Sequence, residues 1–209
     1  NDMLFFDDFN GNMIVEKLGA NGVMIPVMYI VRAANHKSLA EINYEMYQAG
    51  QGDLSDDATV SRRRQLLKLP TVLRRLVWWW LLRDPQRMKA YWGTVGVSNF
   101  GAFIGSRPVW GVPISFVTST LVVGAMYDKL YLENGQVESR KTLCLTLSIN
   151  HDIVDGAPAA RFGETLAHWI EDGSGLDDEF LEESIRLSGD KHDKSATEAS
   201  SISVESSSR

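Results

Sequence analysis

A single cysteine, Cys144, occurs among the 209 residues, so no disulfide can close within the chain. That scarcity fits a reducing compartment, and a cytoplasmic location is expected. Long apolar runs are missing as well. The longest uninterrupted one, Leu76–Leu82, falls far short of the roughly 20 residues a membrane-crossing helix needs. No charged-then-apolar secretion signal opens the sequence. Histidine is sparse. His36, His151, His168 and His192 are scattered, and with no cysteine cluster beside them no metal is expected. Gly101–Gly105 lacks the lysine of a phosphate-binding loop. Ser98 does not occupy a G-x-S-x-G elbow, which argues against a serine hydrolase. No internal repeat is present.

Charge is also missing where the net value of −6 suggests it. Residues 171–209 carry 11 acids against 4 bases, whereas residues 1–170 carry 16 acids against 17 bases. The acidity therefore belongs to the tail. The near-neutral body gives no reason to expect a nucleic-acid partner. From Gly189 onward apolar residues almost vanish, and that stretch is expected to lack fixed structure.

The remaining sequence alternates strand and helix signals. Met13–Glu16 and Val23–Val27 read as strands joined by a turn at Gly19-Ala20-Asn21-Gly22. Ser38-Leu39-Ala40-Glu41 reads as a capping box, followed by Leu39, Ile42 and Met46 at helical spacing. Thr94–Ser98 and Thr120–Met126 read as strands, and Glu133-Asn134-Gly135 as a turn. Leu143, Leu145 and Leu147 alternate with Cys144, Thr146 and Ser148, the pattern of a strand with one buried face. Ala159, Phe162, Leu166, Trp169 and Ile170 predict the inner face of a helix. The class is α/β or α+β, centred on one sheet.

Residues 61–92 interleave nine Arg and Lys residues with Leu, Trp and Tyr. Trp78, Trp79 and Trp80 are consecutive and cannot all face one way on a helix. One reading is a helix that docks on a membrane surface or a partner. The other, preferred here, is a helical insertion whose arginine stems cover the tryptophans that the body does not. A membrane-surface partner is accordingly not expected.

The most informative segment is His151-Asp152-Ile153-Val154-Asp155-Gly156, at a strand-to-helix junction. Histidine exchanges protons near neutral pH. Asp155 can fix the loop by accepting hydrogen bonds, and Gly156 relaxes the backbone. Both would hold one imidazole rigidly at the sheet rim, as general-base catalysis requires.

The run Leu147-Ser148-Ile149-Asn150-His151-Asp152-Ile153-Val154-Asp155-Gly156-Ala157-Pro158-Ala159-Ala160-Arg161-Phe162 resembles the active-site segment of 2-oxo acid dehydrogenase acyltransferases (dihydrolipoyl acyltransferases). That family shares its H-x-x-x-D-G motif and fold with chloramphenicol acetyltransferase. Gly93-Thr94-Val95-Gly96-Val97-Ser98-Asn99-Phe100-Gly101 is similar to the family's second signature. Pro26-Val27 through Arg32, with Lys37-Ser38-Leu39-Ala40-Glu41-Ile42, is similar to its Val-Pro-Val strand and Lys-Ser-Leu helix. The resemblance spans about residues 12–172.

It implies a chloramphenicol acetyltransferase-like α/β two-layer sandwich, a mixed sheet with helices packed on it. It further implies His151 as general base, Ser98 as oxyanion donor and Asp155 as the residue that completes the motif. Coenzyme A or acyl-CoA would be the substrate, with dihydrolipoamide as the other thiol. The active site would lie between subunits of a homotrimer or higher oligomer.

Two positions depart from the family. Asp152 stands where an arginine is usual, and Asn150 where an aspartate is. No lysine occupies a lipoyl hairpin, so a separate lipoyl-bearing protein would supply that group. Residues 1–176 are expected to form the catalytic domain, its N-terminal part missing, with 53–92 as the insertion and 177–209 as an acidic Ser-rich tail. Asp152 and the missing lipoyl module also motivate an alternative, a non-catalytic trimeric scaffold that keeps the fold.

Overall fold

Asn134 and Gly135 fold the chain back on itself, with φ of 52° and 79°. Two consecutive positive-φ residues match the right-handed twist of the strands they join. The resulting hairpin is the longest strand pairing among the described residues. Strand β4 (Ser119–Glu133) runs antiparallel to β5 (Gln136–Ile149), from Ser119↔Ile149 to Glu133↔Gln136, with an irregularity between Val123 and Met126.

This computed structural model describes residues 4–19, 22–51, 54, 58–101, 104–105, 107–115, 117–176, 180, 182 and 186, without the side chains of 58, 59, 62 and 63. The expected tail, 177–209, falls almost wholly outside the described residues. Two compact units are present. The first comprises Asn1–Ile14, Met28–His36 and Leu69–His168; the second comprises Val15–Val27, Lys37–Lys68 and Trp169–Arg209.

The strands β1 (Gly11–Leu18), β2 (Met24–Val31), β3 (Val95–Asn99), β4 and β5 form one sheet in the order β2-β1-β3-β4-β5. β1 and β3 are parallel, with Gly11↔Val95 to Met13↔Val97, and β3 and β4 are parallel, with Val95↔Ser119 to Asn99↔Val123. Parallel and antiparallel pairs together make the sheet mixed. With the helices α1 (Leu39–Gly50), α2 (Ala58–Lys68), α3 (Thr71–Leu82), α4 (Pro85–Trp92) and α5 (Gly156–Glu171), the class is α/β, as the sequence indicates.

In the first unit the core is Val31, Ala34, Leu81, Val122, Ala125 and Cys144, and Val31 is the largest side chain buried completely. The β5 pattern differs from its expectation of one buried face. Of Leu143–Ser148 only Cys144 is buried, and the leucines are half-covered. The reason is that both faces of the β4–β5 pair are partly roofed. A Cβ on Gly163 of α5 would lie 3.6 Å from Leu147, whereas one on Gly124 would lie 3.2 Å from Cys144 and 2.3 Å from the Val109 carbonyl. Residues 107–115 thus shield the cysteine side, tied there by Ala125 N–H to Val109 O at 3.2 Å.

Helix α5 also meets the sheet differently from its expectation. Ala159 and Leu166 are half-buried, but Phe162, Trp169 and Ile170 are exposed. Gly163 lies over the Leu147 side chain, and Phe162, the residue before it, is exposed. Between Ser61 and Trp92 the chain is helical, as expected. Pro70 ends α2 and caps α3, since proline cannot donate to the preceding turn. Asp84 accepts Gln86 N–H at 2.9 Å with Pro85 in the first turn, so α4 starts at once. Trp78 stacks on Trp92 at 5.3 Å and meets Tyr91 edge-on at 6.2 Å, joining the two helices.

In the second unit the Ser38 capping box forms as expected. Ser38 Oγ accepts Glu41 N–H at 3.2 Å and Glu41 Oε2 accepts Ser38 N–H at 2.7 Å. The Gly19–Gly22 turn closes with Gly22 N–H to Gly19 O and Gly19 N–H to Val23 O, both at 2.9 Å.

Candidate active site at the rim of the sheet

His151 is exposed, one residue beyond the end of β5. Its position is set by the residue before it. Asn150 donates its backbone N–H to Thr118 O at 2.9 Å, which fastens the chain to the start of β4. Its side-chain Oδ1 accepts Asp152 N–H at 3.0 Å, and its carbonyl accepts the N–H groups of Ile153 and Val154 at 3.1 Å each. An asparagine that bonds the amide two residues on is a side-chain mimic of a backbone turn. His151 lies at the apex of that turn. Asp155, the residue expected to lock it, is exposed and contributes its backbone carbonyl to Ala159 N–H, the first turn of α5. No side-chain bond of Asp155 forms among the described residues. Asn150 appears in the sequence only as a departure from a family pattern, and its hydrogen-bonding geometry is what a sequence does not display.

Ser98 is half-buried near the opposite end of β3, in the row Ser98↔Val122↔Thr146. Ile149 belongs to the row Val95↔Ser119↔Ile149. His151 is two residues beyond that row and Ser98 three residues inside it. At about 3.3 Å per residue the Ser98 and Ile149 rows are about 10 Å apart along the strands, and β3 and β5 are separated by β4. Within one chain they do not meet.

Beside the His151 loop lies a cavity of about 660 Å³. Its walls are Leu4, Phe5, Phe6, Asp8 and Phe9 from the N-terminal segment, Met88, Lys89 and Trp92 of α4, and the starts of β3 and β4. Asp152 and Ile153 of the loop complete it. Asp152, the charge-reversed position, therefore faces this cavity. Lys89 is only 8% exposed. Its Nζ pairs with Asp8 Oδ1 at 2.5 Å and lies 4.5 Å above the Phe6 ring. The sequence conceals this pair, because Lys89 reads there as one more base in a basic run.

The hydrogen bond from Lys89 holds the Asp8 carboxyl below its ordinary titration range, with the ammonium charge acting in the same direction. A lowered folded-state value means that the pair's contribution is complete at neutral pH and is lost as pH falls through that value. Wild-type thermal stability should therefore drop as pH falls from about 4. Asp8→Asn should flatten that part of the pH profile and lower stability at pH 7, where it leaves Lys89 without its carboxylate. Melting curves between acid and neutral pH read both effects.

Residues 85–176 match a family model described as the 2-oxoacid dehydrogenases acyltransferase (catalytic domain), a span that contains Ser98, Asn150, His151 and Asp155. This segment is similar to that family's catalytic domain. Over 82 residues the chain is 38% identical to the probable dihydrolipoyllysine-residue succinyltransferase component of the mitochondrial 2-oxoglutarate dehydrogenase complex of Schizosaccharomyces pombe. Over 82 residues it is 35% identical to the dihydrolipoyllysine-residue acetyltransferase component of the pyruvate dehydrogenase complex of Mycoplasma pneumoniae. Each match covers 38% of this chain, and 18% and 20% of those relatives, respectively. Among solved structures, a probable dihydrolipoamide acetyltransferase from Listeria monocytogenes aligns with a TM-score of 0.49 at 19% identity. That alignment covers 80% of this chain and 57% of the other. The family match begins at Pro85, the first residue of α4, and takes in β3, β4 and β5 but not β1 and β2.

Proposed function

We propose that the chain is an acyltransferase that moves an acyl group between a thioester and a thiol, with coenzyme A and dihydrolipoamide as the two thiols. The observation that carries this reading is an exposed imidazole on a hydrogen-bonded turn within the matched segment, next in sequence to Asp152, which lines the cavity. His151 takes the proton of the incoming thiol. A free thiol titrates near 8.5 and is mostly protonated at neutral pH, so a base is needed. The thiolate attacks the thioester carbonyl carbon and forms a tetrahedral oxyanion. Ser98 of a neighbouring subunit donates its hydroxyl to that oxygen. Collapse expels the second sulfur, which recovers the proton from His151.

The offset of about 10 Å along the strands between the Ser98 row and the end of β5, with β4 between, supports a site shared between chains, hence a homotrimer or higher oligomer. Asp155 contributes its backbone carbonyl to the first turn of α5 and is not assigned a step on the substrate. A separate lipoyl-bearing protein presents dihydrolipoamide. The test is transfer by the purified full chain from acetyl-CoA and from succinyl-CoA to dihydrolipoamide. Thioester formation with either donor is expected, as is thermal stabilisation by coenzyme A. A chain that gives neither result is the non-catalytic scaffold instead.

A further inference from the structure

Helix α3 is apolar on both sides, and the first unit covers only one of them. Trp78 stacks against α4 and Leu81 is buried. The opposite face carries Val72, Leu76 and Trp80 at successive turns, flanked by Trp79. Val72 is 71% exposed, Trp79 57% and Trp80 52%. The arginines expected to cover these rings do so only in part. Arg83 lies over the Trp79 ring at 4.9 Å and Arg87 over the Trp80 ring at 3.9 Å, yet both indoles stay half-open.

We propose that this face of α3 docks on an anionic phospholipid surface. The charge pattern selects that occupant. From Ser61 to Arg83 the sequence contains no acid, and Asp84, the first after it, is held by Arg87 at 3.1 Å. Two copies stacked through this face would set Arg75 and Arg83 against their own counterparts with no carboxylate to offset them. A leaflet of anionic headgroups satisfies the arginines while the interface takes the apolar side chains. Tryptophan suits that boundary, since its ring is apolar and its N–H needs a polar neighbour. At 12 residues, or about 18 Å, α3 lies along a surface and cannot cross a bilayer. No helix among the described residues is long and apolar enough to cross one.

The experiment is co-sedimentation of the full chain with phosphatidylcholine vesicles, with and without phosphatidylglycerol, at low and high salt. The wild type should pellet with the anionic vesicles at low salt, with a blue shift of tryptophan emission, and should remain largely in the supernatant with phosphatidylcholine alone. Arg75→Gln with Arg83→Gln should weaken the anionic partition roughly thirtyfold, about fivefold for each charge near the surface. Trp79→Ala with Trp80→Ala should abolish the pelleting. Circular dichroism and light scattering read the fold and the oligomeric state of each variant. A wild type that stays in the supernatant with anionic vesicles at low salt overturns the proposal. So does a folded tryptophan variant that still pellets but loses its oligomeric state, because the face would then be an interface between chains.

Discussion

His151→Ala is expected to lower the rate of acyl transfer by roughly 10²–10⁴-fold, about 3–5 kcal/mol of transition-state stabilisation. The thiol would still bind, but it would have to lose its proton to water. The loss should therefore appear in kcat with little change in KM. The fold should not notice the change. The imidazole is exposed and makes no hydrogen bond among the described residues, and the turn that carries it is held by bonds of Asn150. Steady-state kinetics alongside a melting curve separates the two effects. A variant with an unaltered melting temperature and an unaltered rate would remove His151 from the chemistry. A mixed oligomer offers a sharper check. If each site takes its histidine from one chain and its serine from another, inactive His151→Ala and Ser98→Ala chains mixed before assembly should recover part of the lost rate.

A large loss of stability is expected on substituting Gly93. This residue ends α4 with φ +76° and ψ −172°, a region almost closed to side chains. Its N–H donates to Lys89 O at 3.0 Å. A Cβ placed there would fall 2.7 Å from Asn10 O and 3.3 Å from both the N and the Cβ of Asn12. Gly93→Ala thus combines backbone strain of about 1–3 kcal/mol with an overpacking cost of similar size. The sum, about 3–5 kcal/mol, should lower the melting temperature by roughly 10 °C in a chain of this length. Gly135→Ala is the matched control. It has nearly the same φ, +79°, but nothing within 4 Å of an added Cβ, so only the conformational part, about 1 kcal/mol, should be seen. Equal losses at the two glycines would show that contact with Asn10 and Asn12 does not govern the first.

How much of this was legible beforehand depended on the range over which each signal acts. Local chemistry was read well. The Asn134-Gly135 turn and the Ser38 capping box each rest on bonds within four residues, and both form as the sequence indicates. The position of His151 after a strand followed from the alternation of β5 with its end at Asn150. What could not be read was which surfaces meet. The apolar positions of α5 contain two candidate stripes, and only the coordinates show that Gly163, not Phe162, marks the line of contact. The leucine alternation of β5 promised one buried face, but a loop from residues 107–115 covers the other, and nothing periodic in that loop announces it. The Lys89–Asp8 pair joins residues 81 apart, beyond the reach of any local pattern. The separation of Ser98 from His151 needed strand register, which a single strand's sequence does not contain.

The hairpin of β4 and β5 has a consequence for the order of assembly. Its two strands adjoin in sequence across a two-residue turn, so their pairing requires almost no loop closure. The parallel pairing of β1 with β3 joins Gly11 to Val95 and must close a loop of more than eighty residues. Nucleation should therefore begin at the hairpin, and the N-terminal segment should dock late. The cavity wall built from Leu4 to Phe9 would then be the latest part of that unit to order and the earliest to fray. A ligand that fills this cavity would restrain the segment most prone to peel away, and the protection would be seen in slow amide exchange near the start of the chain.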